Sequence, residues 1–527
     1  MLPLENLTVG QLLHRTAQRH PHCPAVWYNG LKWDYRCLEK NAELAAQWLL
    51  ASGVGPGEHI ALWGELDPEM LLLFYAIQMI GSVAVMLNTS LGRGELDPLL
   101  EKAQVRRIFV GRSYKHSCHL ARLSGAEPFP TCVQKVHRVQ DYFSARLHAA
   151  HPENCAAKAA LQQAEGRVRP EDTAVILFTS GSSGTPKAVC SSHFSRVNGG
   201  IQQADDLHAT SEDRFCVTMP AFHCFCISAN LMASLAVGGC LCIPQDRHTA
   251  SITAAIEQCG CTVLSSVPTM FHALIGKKAF VSSRLSTLRT GIIGGAFYPP
   301  EEFVQIEQAL GPQFRLLSSL GQTETTAGMT ICNMEDSLQI RSTTVGHFMN
   351  HVEGKIVDIQ TGLSLPAGQQ GEICVRGYLN MQGYYNDPVQ TSRVLDEDGW
   401  IHTGDLGILD SRGNITLRGR IKELIIRGGE NISPCEIEEI LLKLPQVAQC
   451  KVVSVPDTHY GEEICACIRL APGMPANEAD MKLFLLRHLA EYKLPRYFLY
   501  WDKLPETASG KISAALCAQQ ARKQLQL

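Results

Sequence analysis

The absences in this sequence narrow its class first. Across 527 residues the formal net charge is only −4 at neutral pH, so no general basic footprint for nucleic acid exists. Zinc-type cysteine spacing is missing too: Cys224/Cys226, Cys240/Cys242 and Cys259/Cys261 are one residue apart, not two to four. These cysteines are read as small buried hydrophobes. No apolar signal core opens the chain, because MLPLENLTVGQLLHRTAQRH is polar and charged throughout. The expected location is therefore cytoplasmic, with reduced thiols. No internal repeat or long low-complexity tract occurs. A charge-free run from Met70 to Gly92 nears bilayer length but is broken at Gly81-Ser82. MLLLFYAIQMI before the break suits a buried helix and VAVML after it a buried strand. No membrane span is expected.

What remains is an ordinary globular composition, 45% hydrophobic and 19% charged, in a chain too long for one core. Up to about residue 350, short apolar strand candidates alternate with helical stretches: HIALWG, VAVML, RIFVG, AVILF, FCVTM, CLCI, TVLSSV, TGIIGG and RLLSSLG. That alternation predicts α/β architecture with parallel sheets covered by helices. Residues 144–172 read as a surface helix and loop between two parts of this core. After residue 350 short strands and turns follow, with a hairpin around Ser411–Asn414. The last hundred residues predict a small α+β unit. Its first helix starts with Ser433 as N-cap, Pro434 at the first helical position and Glu436 completing a capping box. Ile437, Ile440, Leu441 and Leu444 share one face of it, and Pro445 stops it.

The stretch TSGSSGTPK, Thr179 to Lys187, lacks the spacing of a helix-starting P-loop. It lies between two strand candidates and so predicts a hairpin loop. Its glycines let backbone N–H groups converge, its hydroxyls add donors and Lys187 adds charge, which suits phosphate. Further along stand GQTETT (321–326), GWIHTGDLG (399–407), GRIKELIIRGGENISPCEIE (419–438) and TASGKI (507–512).

With these motifs in this order, the chain resembles the adenylate-forming superfamily along essentially its whole length. Acyl- and aryl-CoA ligases, luciferases and peptide-synthetase adenylation domains make up that superfamily. The resemblance implies a large N-terminal domain, 1–419, of layered sheets and helices. It also implies a small mobile α+β domain, 420–527, that carries the catalytic lysine. In the reaction it implies, a carboxylate joins the α-phosphate of ATP, pyrophosphate leaves, and the acyl group passes to a thiol.

The implied residue roles follow motif by motif. Thr179, Ser180, Gly181, Ser182, Ser183, Gly184 and Lys187 wrap the β- and γ-phosphates. Gln322 and Thr323 belong to the ATP site, with Thr323 at the α-phosphate. Glu324 holds Mg²⁺, a hard cation suited to oxygen ligands. Asp405 accepts both ribose hydroxyls and Arg420 contacts the sugar. Lys511 bridges the acyl carboxylate and the α-phosphate, a point-charge task. His223 gates the acyl pocket, whose wall is Gly294, Gly295 and Ala296. Lys422 marks the hinge, and Gly428, Gly429 and Glu430 line the CoA tunnel after rotation.

Three positions depart from the family pattern. Leu320 stands where most members stack an aromatic on adenine, Ala188 replaces a glycine, and Ile426 replaces a second lysine that some relatives use. RGGENIS and MPAFH resemble medium-chain fatty-acyl and carnitine-type CoA ligases. No Asp between Met219 and Asn230 serves an α-amino group, which sets the chain apart from amino-acid activators. The expected function is an ATP-dependent carboxylate–CoA ligase acting on a fatty or small organic acid, with ATP, Mg²⁺ and CoA. Two alternatives stay open: loading of a separate acyl carrier protein, and a degenerate member that binds nucleotide or acyl ligand with little turnover. Homo-oligomerisation is also left open.

Overall fold

The computed structural model describes residues 2–112, 129–140, 155–179, 186–276, 285–296, 298–326, 328–427, 430–458, 460–507 and 511–527. Local chemistry sets the early elements. Helix Pro68–Met79 starts where the Asp67 side chain accepts from Met70 N at 2.9 Å and proline takes the first position. Every side chain in it but Glu69 is buried, as befits a helix apolar on all sides. Gly81, at φ +71°, then turns the chain into strand Val83–Met86, buried on both faces. Helix Cys155–Glu165 buries only Leu161, so this part of the 144–172 stretch is a surface helix.

Two large sheets result. One has nine strands, and the six from Pro24–Tyr28 to Arg315–Leu320 run parallel. The other has seven, parallel from Lys135–Arg138 across to Thr173–Thr179, with an antiparallel pair at one edge. One hydrophobic cluster joins them. It runs from Val26 and Leu241 through Leu12, Leu38, Phe74 and Val197 on four helices to Ile60 and Leu177. A four-stranded antiparallel sheet, Val352 to Arg420, contains the expected hairpin between Ile401–Leu409 and Ile415–Arg420. A five-stranded sheet spans Ile425–Tyr500 and packs its own core. No helix among the described residues is long and apolar enough to cross a membrane.

Two local expectations change. Helix Pro434–Leu441 forms, and Ile437, Ile440, Leu441 and Leu444 are buried, but Ser433 makes no cap hydrogen bond. Its hydroxyl donates instead to Arg418 O at 2.5 Å, and Glu436 pairs with Lys493 at 2.7 Å. Tertiary partners outcompete the capping box. Most cysteines are free and buried as expected, whereas Cys242 and Cys259 are paired as a disulfide beside Cys240.

Candidate active site

The hairpin bracketing the Ser/Gly loop is present. Strand Thr173–Thr179 pairs antiparallel with Lys187–Ser192, placing Thr179 opposite Lys187. Ser180, Gly181, Ser182, Ser183 and Gly184 lie outside the described residues. Lys187 Nζ sits 4.6 Å from the centroid of the Tyr384 ring, a cation–π contact. Tyr384 Oη donates to Glu324 Oε1 at 2.9 Å, which ties the loop strand to the GQTETT turn. Burial presses the Lys187 pKa down, and the nearby Lys422 ammonium adds to this.

The turn itself is constrained. Thr323–Thr325 form a single 3₁₀ turn, and Thr326 follows at φ +61°. A β-branched residue adopts that left-handed conformation only when its surroundings hold it there. The holders are visible: Thr326 O accepts from Arg196 Nη1 at 3.0 Å and Ser228 Oγ at 2.8 Å. Thr326 Oγ1 donates to Leu379 O at 2.6 Å. Sequence reading missed Arg196, Ser228 and Tyr384, since no local pattern marks them.

His223 precedes a short helix that widens into π-helix over Ile227–Met232, an irregularity frequent at functional sites. Its Nε2 is buried without a hydrogen-bond partner among the described residues. Burial, with Lys511 and Arg247 nearby, lowers its pKa to about 4, so His223 is neutral at pH 7. Next to it, Cys224 Sγ accepts from Thr323 Oγ1 at 3.8 Å.

Lys511 reaches this group from the far end of the chain. Thr507 N donates to Lys511 O at 2.7 Å and Lys511 N to Thr507 Oγ1 at 3.3 Å, closing a tight loop. Its Nζ lies 3.5 Å from where a Cβ on Gly295 would stand. Gly295, at φ +81°, leaves that space open. Gly294 is equally constrained, because a Cβ there would meet Ser319 O at 2.6 Å. These glycines end strand Thr290–Gly294 beside the end of Arg315–Leu320, at the carboxyl ends of parallel strands where α/β folds bind ligands. Ala296 is half-buried next to them. Burial lowers the Lys511 pKa, and Arg420 lowers it further.

Asp405 owes its direction to a bulge. Glu372 pairs with Leu406 and Cys374 with His402, so three residues, Thr403 to Asp405, face one on the partner strand. Glu372 clamps the bulge from below: Oε1 accepts from Gly404 N at 2.9 Å, and Oε2 lies 2.8 Å from His402 Nδ1. Asp405 is 1% exposed; Oδ1 meets Arg420 Nε at 2.7 Å while Oδ2 is buried without a partner among the described residues. Burial outweighs the Arg420 guanidinium and raises the Asp405 pKa to about 6.

Thus Thr179, Lys187, Gln322, Thr323, Glu324, His223, Gly294, Gly295, Ala296, Asp405, Arg420, Lys422 and Lys511 fall within one neighbourhood. Gly428 and Gly429 lie outside the described residues, and the Glu430 backbone sits in strand Glu430–Ile432 of the small sheet. Leu320 ends strand Arg315–Leu320 half-buried against the Met329–Tyr384 cluster.

A lysine set at the glycine end of a parallel sheet, with Arg420 and its buried partner Asp405 nearby, suits the adenylate-forming class. The AMP-binding enzyme family matches residues 13–385, and the AMP-binding enzyme C-terminal domain matches 436–511. The chain belongs to this family, as an AMP-forming acid–thiol ligase of the acyl-CoA synthetase branch. It is 34% identical to the Bacillus subtilis protein YngI, named for acyl-CoA synthesis, over 97% of this chain and 96% of that protein. Against the mitochondrial medium-chain acyl-CoA ligase ACSF2 of Bos taurus, identity is 31% over 100% of this chain and 89% of that protein. Its structure superposes on the o-succinylbenzoate CoA synthetase of Bacillus subtilis bound to its acyl-adenylate with TM-score 0.81. Identity there is 25%, covering 98% and 99% of the two chains.

Proposed function

We propose that the protein activates a fatty acid of medium length and transfers it to CoA. The observation that carries the proposal is Lys511 seated against Gly295, beside His223 and the Thr323 turn. In the first step a carboxylate oxygen attacks the α-phosphorus and pyrophosphate leaves. The attacking group and the phosphorus centre are both anionic, so charge neutralisation and alignment carry the catalysis. Lys511 bridges the two anions. Thr323 meets the α-phosphate, Lys187 and the Ser/Gly loop the outer phosphates, and Asp405 with Arg420 the ribose. Glu324, an oxygen donor beside the Lys187 strand, fits the hard cation Mg²⁺, which neutralises phosphate charge when bound. In the second step the CoA sulfur attacks the acyl carbon and AMP leaves.

Residues 1–419 and 420–527 act as the two bodies, with Lys422, in the turn Ile421–Glu423, as hinge. Rotation withdraws Lys511 and brings Gly428, Gly429 and Glu430 to the site. The medium-chain reading is supported by the activity for which ACSF2 is named and by the buried apolar residues Met219, Ala221 and Phe222 that precede His223. A cytoplasmic location is proposed with it, supported by the many free buried thiols.

Pyrophosphate release with ATP and Mg²⁺ across a panel of carboxylates, with and without CoA, tests the reading. Turnover that requires CoA and peaks at medium-chain acids is expected. Acyl-adenylate formed from these acids without any acyl-CoA on adding CoA would assign a carrier protein as acceptor. Silence across the panel would sink the activity.

The shifted acidities of Asp405 and Lys511 imply a pH profile. Asp405 must be ionised to accept hydroxyls, so kcat/KM for ATP falls as pH drops through about 6. Lys511 must be protonated, and its lowered pKa brings the alkaline limb below that of an ordinary lysine. A profile flat from pH 5 to pH 10 would contradict both assignments.

Leu320 gives a further expectation. Base–aromatic stacking contributes about 1–3 kcal/mol, part of which leucine already supplies. Leu320→Tyr should therefore lower the KM for ATP by roughly fivefold, equivalent to about 1 kcal/mol. An unchanged or higher KM counts against missing stacking as the cause.

A further inference from the structure

Arg196 is fully buried in helix His193–Asp206, yet no carboxylate among the described residues pairs with it. Its Nε donates to Ser191 Oγ at 2.8 Å and its Nη1 to Thr326 O at 3.0 Å, both uncharged acceptors. Nη2 is buried with no partner among the described residues. A buried cation without a counter-ion is costly, and an apolar side chain of similar size commonly leaves a protein as stable or more so. Burial lowers its pKa only to about 10, so the guanidinium keeps its charge at neutral pH. Among the described residues the Cys224 thiol is the titratable neighbour that bears on it, and Cys224 Sγ is the acceptor for Thr323 Oγ1. The charge thus sits directly behind the turn that presents Thr323 and Glu324.

We propose that Arg196 is a positioning residue for the Gln322–Thr326 turn, and that its charge is complemented only when an anionic phosphate occupies the face of that turn. Two observations support this independently. Thr326 is held at φ +61°, and the Arg196 bond to its carbonyl is one of the contacts that hold it. A neutral donor could supply that bond, so the bond alone leaves the cation unexplained. The missing counter-ion and the bare Nη2 point to a negative charge that arrives from outside the protein. The inference rests on the adenylation reading above, in which the arriving anion is the α-phosphate of ATP and then of the acyl-adenylate.

Arg196→Met and Arg196→Lys, compared with the wild type in three measurements, test it. The measurements are carboxylate-dependent pyrophosphate release, melting temperature alone, and the melting-temperature shift on adding ATP with Mg²⁺. Arg196→Met is expected to lose about 10²-fold in kcat for adenylation, with the KM for the carboxylate unchanged. It should melt at or above the wild-type temperature and show a smaller ATP-induced shift. Arg196→Lys, which keeps the charge and loses the fork, should recover much of the rate and the shift. A Met variant that fails to fold or melts well below wild type makes Arg196 a structural residue and overturns the proposal. Wild-type rate and wild-type ATP shift in the Met variant overturn it too. If the wild type itself releases no pyrophosphate with any acid, the adenylation reading fails; the ATP shift then still decides whether Arg196 answers to phosphate.

Discussion

Replacing Lys511 by alanine is expected to cut acyl-adenylate formation from free acid by about 10²–10³-fold, the usual cost of removing one preorganised transition-state donor. Conversion of supplied acyl-adenylate to acyl-CoA should stay within a few-fold of wild type. The asymmetry follows from geometry. Lys511 is anchored by paired hydrogen bonds to Thr507, and its Nζ approaches over Gly295, which has no side chain of its own to obstruct it. In the proposed reaction its task there is to bridge the two anions that meet. Once they have reacted, a charge fixed at the mixed anhydride serves no purpose, and rotation about Ile421–Glu423 would remove it. Lys511→Arg should rescue little, because the broad guanidinium fork replaces a compact ammonium that fits against a glycine backbone. Separate assays of the two half-reactions decide the matter: equal loss of both in Lys511→Ala would refute the two-conformation account.

The sequence carried the parts of this picture that depend on local chemistry. Helix Pro68–Met79 and strand Val83–Met86 were legible because charge-free stretches of different residue type flank a glycine turn. The hairpin at Thr179 and Lys187 was legible because a Ser/Gly/Pro stretch divides two strand-like runs. Lys511 and Asp405 were legible only through the resemblance, since a Ser-Gly-Lys near a chain end and an Asp in a Gly-rich turn are common without function. Contacts between distant segments left no local trace. Ser433 reads as a helix cap, and it is the Arg418 carbonyl, fifteen positions away, that takes its hydroxyl. Arg196 and Thr326 are 130 positions apart, and Glu372 lies 30 from His402. The left-handed Thr326, the bulge under Asp405 and the π-helical turn after His223 are likewise products of packing, where backbone preference loses to tertiary constraint.

Asp405→Ala is expected to raise the KM for ATP by at least about 10²-fold, since two hydrogen bonds from ribose hydroxyls to a carboxylate contribute about 1.5–3 kcal/mol each. Unlike the loss of Lys511, this loss should appear in both half-reactions, because the acyl-adenylate carries the same ribose. Asp405→Asn keeps one acceptor oxygen and should fall between. The stability effect should run the other way. A carboxyl raised from 3.8 to about 6 binds its proton more tightly in the fold than in the unfolded chain. Its ionised form therefore weakens the fold progressively as pH rises from about 4 to about 6, by a total of ~3 kcal/mol at 1.36 kcal/mol per unit. Arg420 does not reverse this sum, because its side chain is 54% exposed and can return to water when its partner is removed. Neither variant should melt below wild type at pH 7.5, and the gap should close as pH falls toward 4. Loss of ATP binding together with a preserved or higher melting temperature marks Asp405 as a group kept for the ligand. A variant that loses both makes the buried carboxylate a structural partner of the Glu372 bulge instead.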